Sequence, residues 1–176
     1  MSNAVLDAIR SRRVSRELTA EPVDRATLEA ILDAGRWAST AGNRHLQRFA
    51  VTDHPGTIRV LRLVSPGMLQ HPTAVIAICV DRQLAAAYGF APNAPGTFVD
   101  VGTAAATMML AAHSLGIGVG PVTSFSCAAV AVALELPAGW SPDLMLCLGH
   151  PAPVQPAAMV PHRGLTWRDL TIWVRA

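Results

Sequence analysis

Three arginines, Arg12, Arg13 and Arg16, fall within five residues, with Ser15 among them. Guanidinium groups pair bidentately with phosphate oxygens, and arginines in one turn can converge on a single anion. The other reading is a solvated basic face, the common fate of a charge run. Thr40-Ala41-Gly42-Asn43 is small and polar, and Asn43 offers both a donor and an acceptor; a helix-terminating loop would use the same residues. Pro121-Val122-Thr123-Ser124 brings hydroxyls and backbone N–H groups to a strand end. Donors there suit the polar edge of a flat heterocycle, and equally a plain strand-to-helix connection. Arg163, beyond a proline, reads locally as a surface arginine.

Other chemistries are excluded. All 14 Lys+Arg residues are arginine, which removes a Walker A phosphate loop and a Schiff-base lysine. Gly116-Ile117-Gly118-Val119-Gly120 follows a helix instead of a strand and has Pro121 where the third glycine of a dinucleotide fingerprint belongs. These glycines are expected to end the helix and turn the chain into the next strand. Cys79, Cys127 and Cys147 sit far apart in apolar surroundings, as buried thiols of a reducing compartment do. No metal is expected, since neither CxxC nor HExxH spacing occurs.

The elements that must position these residues follow from periodicity. Val5 to Arg10 reads as a short helix running into the arginine cluster. Asp24 opens a second helix whose Leu28, Ile31, Leu32 and Gly35 mark a buried stripe. Arg48 to Thr52 reads as a strand and Gly56 to Leu63 as a short helix. Ala74 to Val80 is a β-branched run expected at the centre of a sheet covered on both faces. Val99 to Ser114 is a helix apolar nearly all round, so it is expected to be buried on several sides, its own symmetry mate among the partners. Gly118 to Thr123 and Leu144 to Leu148 read as strands flanking a helix from Cys127 to Leu134, and a tail from Leu165 to Val174 carries Trp167 and Trp173. Helices interleaved with four strands indicate an α+β sandwich.

A chain of 176 residues fits one domain, 1–176. Hydrophobic residues make up 51% and charged residues 15%, with mean hydropathy +0.34, more apolar than a lone soluble monomer requires. A homodimer interface is the natural use of that surplus. The longest apolar stretch, Val101 to Ala112, is well short of the ~20 residues of a membrane span, and the N-terminus lacks a signal-peptide core, which predicts a cytoplasmic protein. The net charge of +2 argues for neither nucleic acid nor membrane. Eight of the 14 arginines lie between Arg10 and Arg48, marking the end where an anion would dock.

In order along the chain, SRRVSREL, AGRWASTAGNRHLQRF, DVGTAAATMMLAAHSLGIGVGPVTSF and LGHPAPV with the later Arg163 resemble the successive motifs of the FMN-dependent nitroreductase family. The resemblance implies a three-layer α/β/α sandwich with a mainly antiparallel central sheet, an intertwined homodimer and bound FMN. It places Arg12, Arg13, Ser15, Arg16 and Arg163 at or beside the flavin phosphate and ribityl chain. Thr40 and Asn43 would reach the flavin of the other subunit, and Pro121, Val122, Thr123 and Ser124 would line the isoalloxazine and present a donor to N5. It further implies ping-pong hydride transfer from NAD(P)H through N5 to a planar acceptor such as a nitroaromatic, quinone or enone. No side-chain acid, base or nucleophile is then needed. Val80 to Phe98 leaves only a short connection where larger relatives insert lids, with Tyr88 and Phe90 as candidate pocket walls. The chain departs from the family pattern at Val14 for Ser, Ser39 for Pro, His45 for Gln, Leu46-Gln47 for Pro-Trp and Thr123-Ser124 for Glu-Gly.

A narrower similarity covers LRLVSPGMLQHPTAVIAICVDR and LAAHSLGIGVGPVTSF, which resemble the flavin subunit of cyclic dipeptide oxidases of the albonoursin synthase type. That family implies the reverse electron flow, from a diketopiperazine to oxygen, and a small partner protein. A flavin-storing or flavin-fragmenting relative would bind FMN without nicotinamide turnover. Ser65-Pro66-Gly67 is also a turn on local grounds, of type II by its Pro-Gly pair.

Overall fold

The computed structural model describes residues 3–153 and 166–174. Its elements are α1 (Ala4–Ser11), α2 (Arg25–Arg36), a 3-10 turn (Ala41–Asn43), β1 (Gln47–Thr52), α3 (Pro55–Leu63), β2 (Ala74–Asp81), α4 (Arg82–Ala87), α5 (Pro95–Ser114), β3 (Gly118–Val122), α6 (Cys127–Ala133), β4 (Trp140–Gly149) and a final 3-10 turn (Trp167–Leu170). The strands form one sheet in the order β1-β2-β4-β3, antiparallel throughout.

β2 holds an interior place, as its unbroken apolar run requires. Because side chains alternate across a strand, Ala74, Ile76, Ile78 and Val80 enter one core while Val75, Ala77 and Cys79 enter another. The first core is closed by Leu28 and Ile31 of α2 and by Val101, Ala104, Met108 and Ala112 of α5. The second is closed by Ile58 and Leu61 of α3 and Val130 of α6. Helices therefore cover both faces, giving the three-layer α/β/α sandwich.

Several local details differ from the sequence expectation. The connection after β2 is partly helical: Asp81 caps α4 by accepting from the Leu84 amide at 2.9 Å. Pro95 then starts α5 a turn earlier than periodicity suggests, since proline suits the first helical positions. Strand β4 begins at Trp140, upstream of Leu144, because a bulge on β4 at Asp143, opposite the Ile78–Cys79 step of β2, admits Pro142. Next to it, Asp143 accepts two bonds from Arg82 Nη2 at 2.8 and 2.7 Å. Burial pushes the Asp143 carboxyl up, and Arg82 pulls it back only in part.

Cys79 and Cys147 are buried, and burial pushes both thiols up to about 12. Cys127, expected to be buried as well, is exposed: it is the first residue of α6, after the Ser126 cap, and that helix buries Val130. The Ser65–Met68 turn forms, with Met68 N–H donating to Ser65 at 2.9 Å, but Gly67 lacks the positive φ of a type II turn. Its glycine answers a close approach instead, because a Cβ there would lie 3.0 Å from the Ser124 Cβ.

Helix α5 buries only one side in this chain. Thr97, Asp100, Val101, Ala104, Ala105, Met108 and Ala112 face inward, while Phe98 and Val99 are 48% and 62% exposed. The tail leaves Ile172 and Trp173 at 87% and 80% exposed. Such apolar exposure is what a subunit interface would cover.

The α2–α5 contact has a sharp test. A Cβ on Gly35 would run into the Met108 side chain, its Cγ included at 2.9 Å, so a larger residue there forces Met108 to shift. Gly35→Val should cost about 1–3 kcal/mol by overpacking. Urea denaturation of Gly35→Val, Met108→Ala and the double variant checks this, and the double variant should recover part of the loss.

Candidate functional site

Immediately after α1 the chain runs along the free edge of β3. Ser15 N–H donates to Val119 at 3.0 Å, Thr19 N–H to His150 at 2.8 Å, and Leu18 bridges Pro151. The edge is thereby covered, and the arginine cluster is fixed beside it. The glycines of β3 permit this approach: a Cβ on Gly118 would meet Ser15 Oγ at 2.7 Å, and one on Gly120 would meet the Ser15 carbonyl at 3.0 Å. Gly116, with φ +76°, makes the expected turn out of α5.

Between this segment and the C-terminal end of α5 lies a cavity of about 310 Å³, lined by Arg12, Arg13, Ser15, His113, Gly118 and Val119 among others. Among the described residues its lining contains no carboxylate. Ser11 Oγ and His113 Nε2 stand 2.9 Å apart across its floor. Arg13 Nη1 donates to the carbonyls of Arg10 and Arg12 at 2.7 and 2.9 Å, so part of its fork closes the end of α1. Arg12 is half-buried, and among the described residues no carboxylate pairs with it. Arg16 is exposed and does not line the cavity. Two arginines, a histidine and two serines without an acid are a donor set that fits a phosphate. Arg163 lies outside the described residues.

A second cluster sits at the other end of α5. Ala41 N–H donates to Asp100 Oδ1 at 2.9 Å, and Thr103 Oγ1 donates to the Ser39 carbonyl at 3.0 Å, so the 39–44 loop is tied to the helix. Asn43 and His45 adopt φ of +54° and +48°, a region disfavoured for residues with a Cβ. Thr40 Oγ1 accepts from His45 N–H at 3.2 Å, and Asn43 Oδ1 lies 2.9 Å from His45 Nε2. Beside this loop Ala41, Gly42, Arg44, Tyr88, Gly89 and Phe90 line a cavity of about 230 Å³, so Tyr88 and Phe90 do stand together.

The structure does not bring the two clusters together within one chain. Asp100 and His113 are thirteen positions apart on α5, about 20 Å at helical rise. Pro121 and Val122 belong to β3, with Val122 turned into the second core at 2% exposure, while Thr123 and Ser124 are exposed beyond the strand. Ser124 accepts from Gly67 N–H at 3.1 Å.

Sequence reasoning missed several residues here. Asp100 is the only acidic residue of α5, and a carboxylate inside a helix so rich in apolar residues was a signal in plain view. His113 and Ser11 carried no local signal, being brought together only by α1 packing on α5. Gln70 and Ser65 are buried, and their Oε1 and Oγ have no hydrogen-bond partner among the described residues.

The family profile described as "Nitroreductase family" matches residues 9–95 and 61–150. The chain belongs to the nitroreductase family. A curated relative from Methanothermobacter thermautotrophicus, described as an NADH dehydrogenase/NAD(P)H nitroreductase, is 30% identical over 117 residues, 65% of this chain and 58% of the relative. The chain thus matches less than two thirds of that relative's length. A nitroreductase from Desulfovibrio desulfuricans, crystallised in complex with FMN, superposes with a TM-score of 0.80 at 28% identity, covering 100% of this chain and 99% of the other. A nitroreductase family protein from Clostridium difficile 630 shares the fold, with a TM-score of 0.79 at 23% identity over 100% of both chains. Among the described residues no helix is long and apolar enough to cross a membrane, and no cluster could hold a metal ion.

Asp100 should be the anchor of the 39–44 loop. Removing the carboxylate in Asp100→Ala breaks a charge-assisted bond worth about 1.5–3 kcal/mol. Chemical denaturation should show that loss, and hydrogen exchange at the Ala41 amide should speed up by a comparable free energy.

Proposed function

We propose that this nitroreductase family member is an FMN-dependent NAD(P)H oxidoreductase acting as a homodimer, with one FMN-binding domain spanning 1–176. The observation that carries the reading is the acid-free cavity formed by Arg12, Arg13, Ser15 and His113. Arg12 supplies the principal charge-assisted contact to the phosphate, Arg13 and Ser15 flank it, and Arg16 and Arg163 add cationic charge around the same anion. Thr40 and Asn43, in a loop tied to the far end of α5 and so too distant to serve the same chain's cavity, serve the second copy's. Pro121, Val122, Thr123 and Ser124 border the heterocycle, where backbone N–H groups can face its polar edge. Bound FMN supplies the hydride chemistry at N5. The protein's own part is to fix the phosphate and keep one face of the ring open beside Tyr88 and Phe90. The nicotinamide donor and a planar acceptor, such as a nitroaromatic, quinone or enone, then occupy that face in turn. The exposed faces of α5 and the tail support dimerisation, because each leaves large apolar side chains in water.

Purified protein should be yellow, and anaerobic NADH or NADPH should bleach it, with colour restored by a quinone. Arg12→Ala should weaken FMN binding by about 1.5–3 kcal/mol, roughly 10- to 150-fold in Kd, and leave riboflavin binding almost unaffected. Fluorescence titration with both flavins checks this. Protein that takes up no FMN would refute the reading, and FMN that stays oxidised under both nicotinamides would refute its reductase direction.

A further inference from the structure

We propose that Arg44 makes the cavity beside the 39–44 loop a binding site for a single-ring aromatic carboxylate. Five arginines, Arg10, Arg25, Arg36, Arg48 and Arg82, stand in ion pairs with carboxylates. Arg44 is held differently. Its guanidinium carbon lies 4.7 Å from the Tyr88 ring centroid and 5.3 Å from that of Phe90, and Nη1 donates to the Tyr88 carbonyl at 3.2 Å. Aromatic faces and a backbone carbonyl fix the group without neutralising it. Among the described residues no carboxylate pairs with it, and the cavity lining contains no acid.

The surroundings keep this cation in place. The loop that carries Arg44 is tied to α5 through Asp100 and Thr103. Gly42, at φ +60°, leaves room for the arginine, since a Cβ there would come within 3.3 Å of Nε. Gly89 also lines the cavity, and a Cβ there would meet nothing within 4 Å beyond its two chain neighbours. A preformed guanidinium fork bordered by two rings suits an oxyanion attached to a planar group. Size selects among such ligands. At about 230 Å³ the cavity falls below the roughly 300–1,000 Å³ of sites that enclose a whole drug-sized ligand. One ring and its carboxylate fit that space, whereas a dinucleotide could place only part of itself there.

As a subsite for the acceptor substrate, the assignment rests on the flavin reading above; as an anion site, it does not. The test uses the full chain as purified, with calorimetric titration of benzoate and its neutral counterpart benzamide. Wild type should prefer benzoate by about tenfold or more, and Arg44→Gln should bring the ratio close to one, the signature of a lost charge-assisted pair. Arg44→Lys should restore part of the ratio. In turnover, the KM ratio of 4-nitrobenzamide to 4-nitrobenzoate should fall in parallel. Wild type that binds both equally, or a ratio that survives Arg44→Gln, would overturn the proposal. A change confined to the NADPH-to-NADH ratio would overturn the carboxylate assignment and give the guanidinium to the dinucleotide's phosphate. If the protein takes up no FMN, the turnover arm and the flavin reading fail together, while the calorimetric ratio still decides the anion site.

Discussion

Helix α5 is 20 residues long, about 30 Å at helical rise, and the candidate ligand groups hang on its two ends. Asp100 and Thr103 hold the 39–44 loop toward one end, and His113 borders the arginine cavity at the other. A helix packed along its length against α2 and the sheet cannot shorten or bend to bring those ends together. Residues that must share one ligand are therefore assembled either by a ligand long enough to span the helix or by a second chain. The apolar side that α5 turns to solvent favours the second solution.

The same constraint explains why the polar groups of α5 occur where they do. Asp100 is 4% exposed, and its carboxylate offsets the cost of burial by taking the Ala41 amide. That bond fixes the stretch in which Asn43 and His45 hold left-handed backbone angles. Losing the anchor would release both residues, along with Ala41 and Gly42 in the wall of the Arg44 cavity. At the opposite end the glycines of β3 let the segment after α1 lie close against the sheet edge. Packing at each end of the helix thus decides where charged groups can face open space.

Much of this was legible in the residues. β2 announced a doubly covered strand by its unbroken apolar run, α2 its buried stripe, and Gly116 the turn out of α5, because each depends on local periodicity or a single backbone angle. The arginine cluster and the Tyr88–Phe90 pair were likewise visible by residue type. What escaped depends on partners distant in sequence. Gly118 and Gly120 serve the approach of Ser15, Gly67 the approach of Ser124, and neither need shows in a window of neighbours. Arg13 reads as a second phosphate arginine, yet it also caps α1. Cys127 shares the apolar context of Cys79 and Cys147 but begins a helix, and its side chain is left in solvent.

Each flavin site is proposed to take its arginines from one copy and its Asn43 from the other. Co-expression of an Arg12→Ala chain with an Asn43→Ala chain, each separately tagged, allows purification of the mixed dimer. If the site is shared, one of its two sites inherits Arg12 and Asn43 intact and the other inherits both lesions. FMN titration should then show one equivalent per dimer bound with wild-type affinity, which neither variant homodimer can show. Two weakened sites and none of wild-type affinity, one carrying the Arg12 lesion and the other the Asn43 lesion, would mean that each chain builds its site alone and would contradict the account.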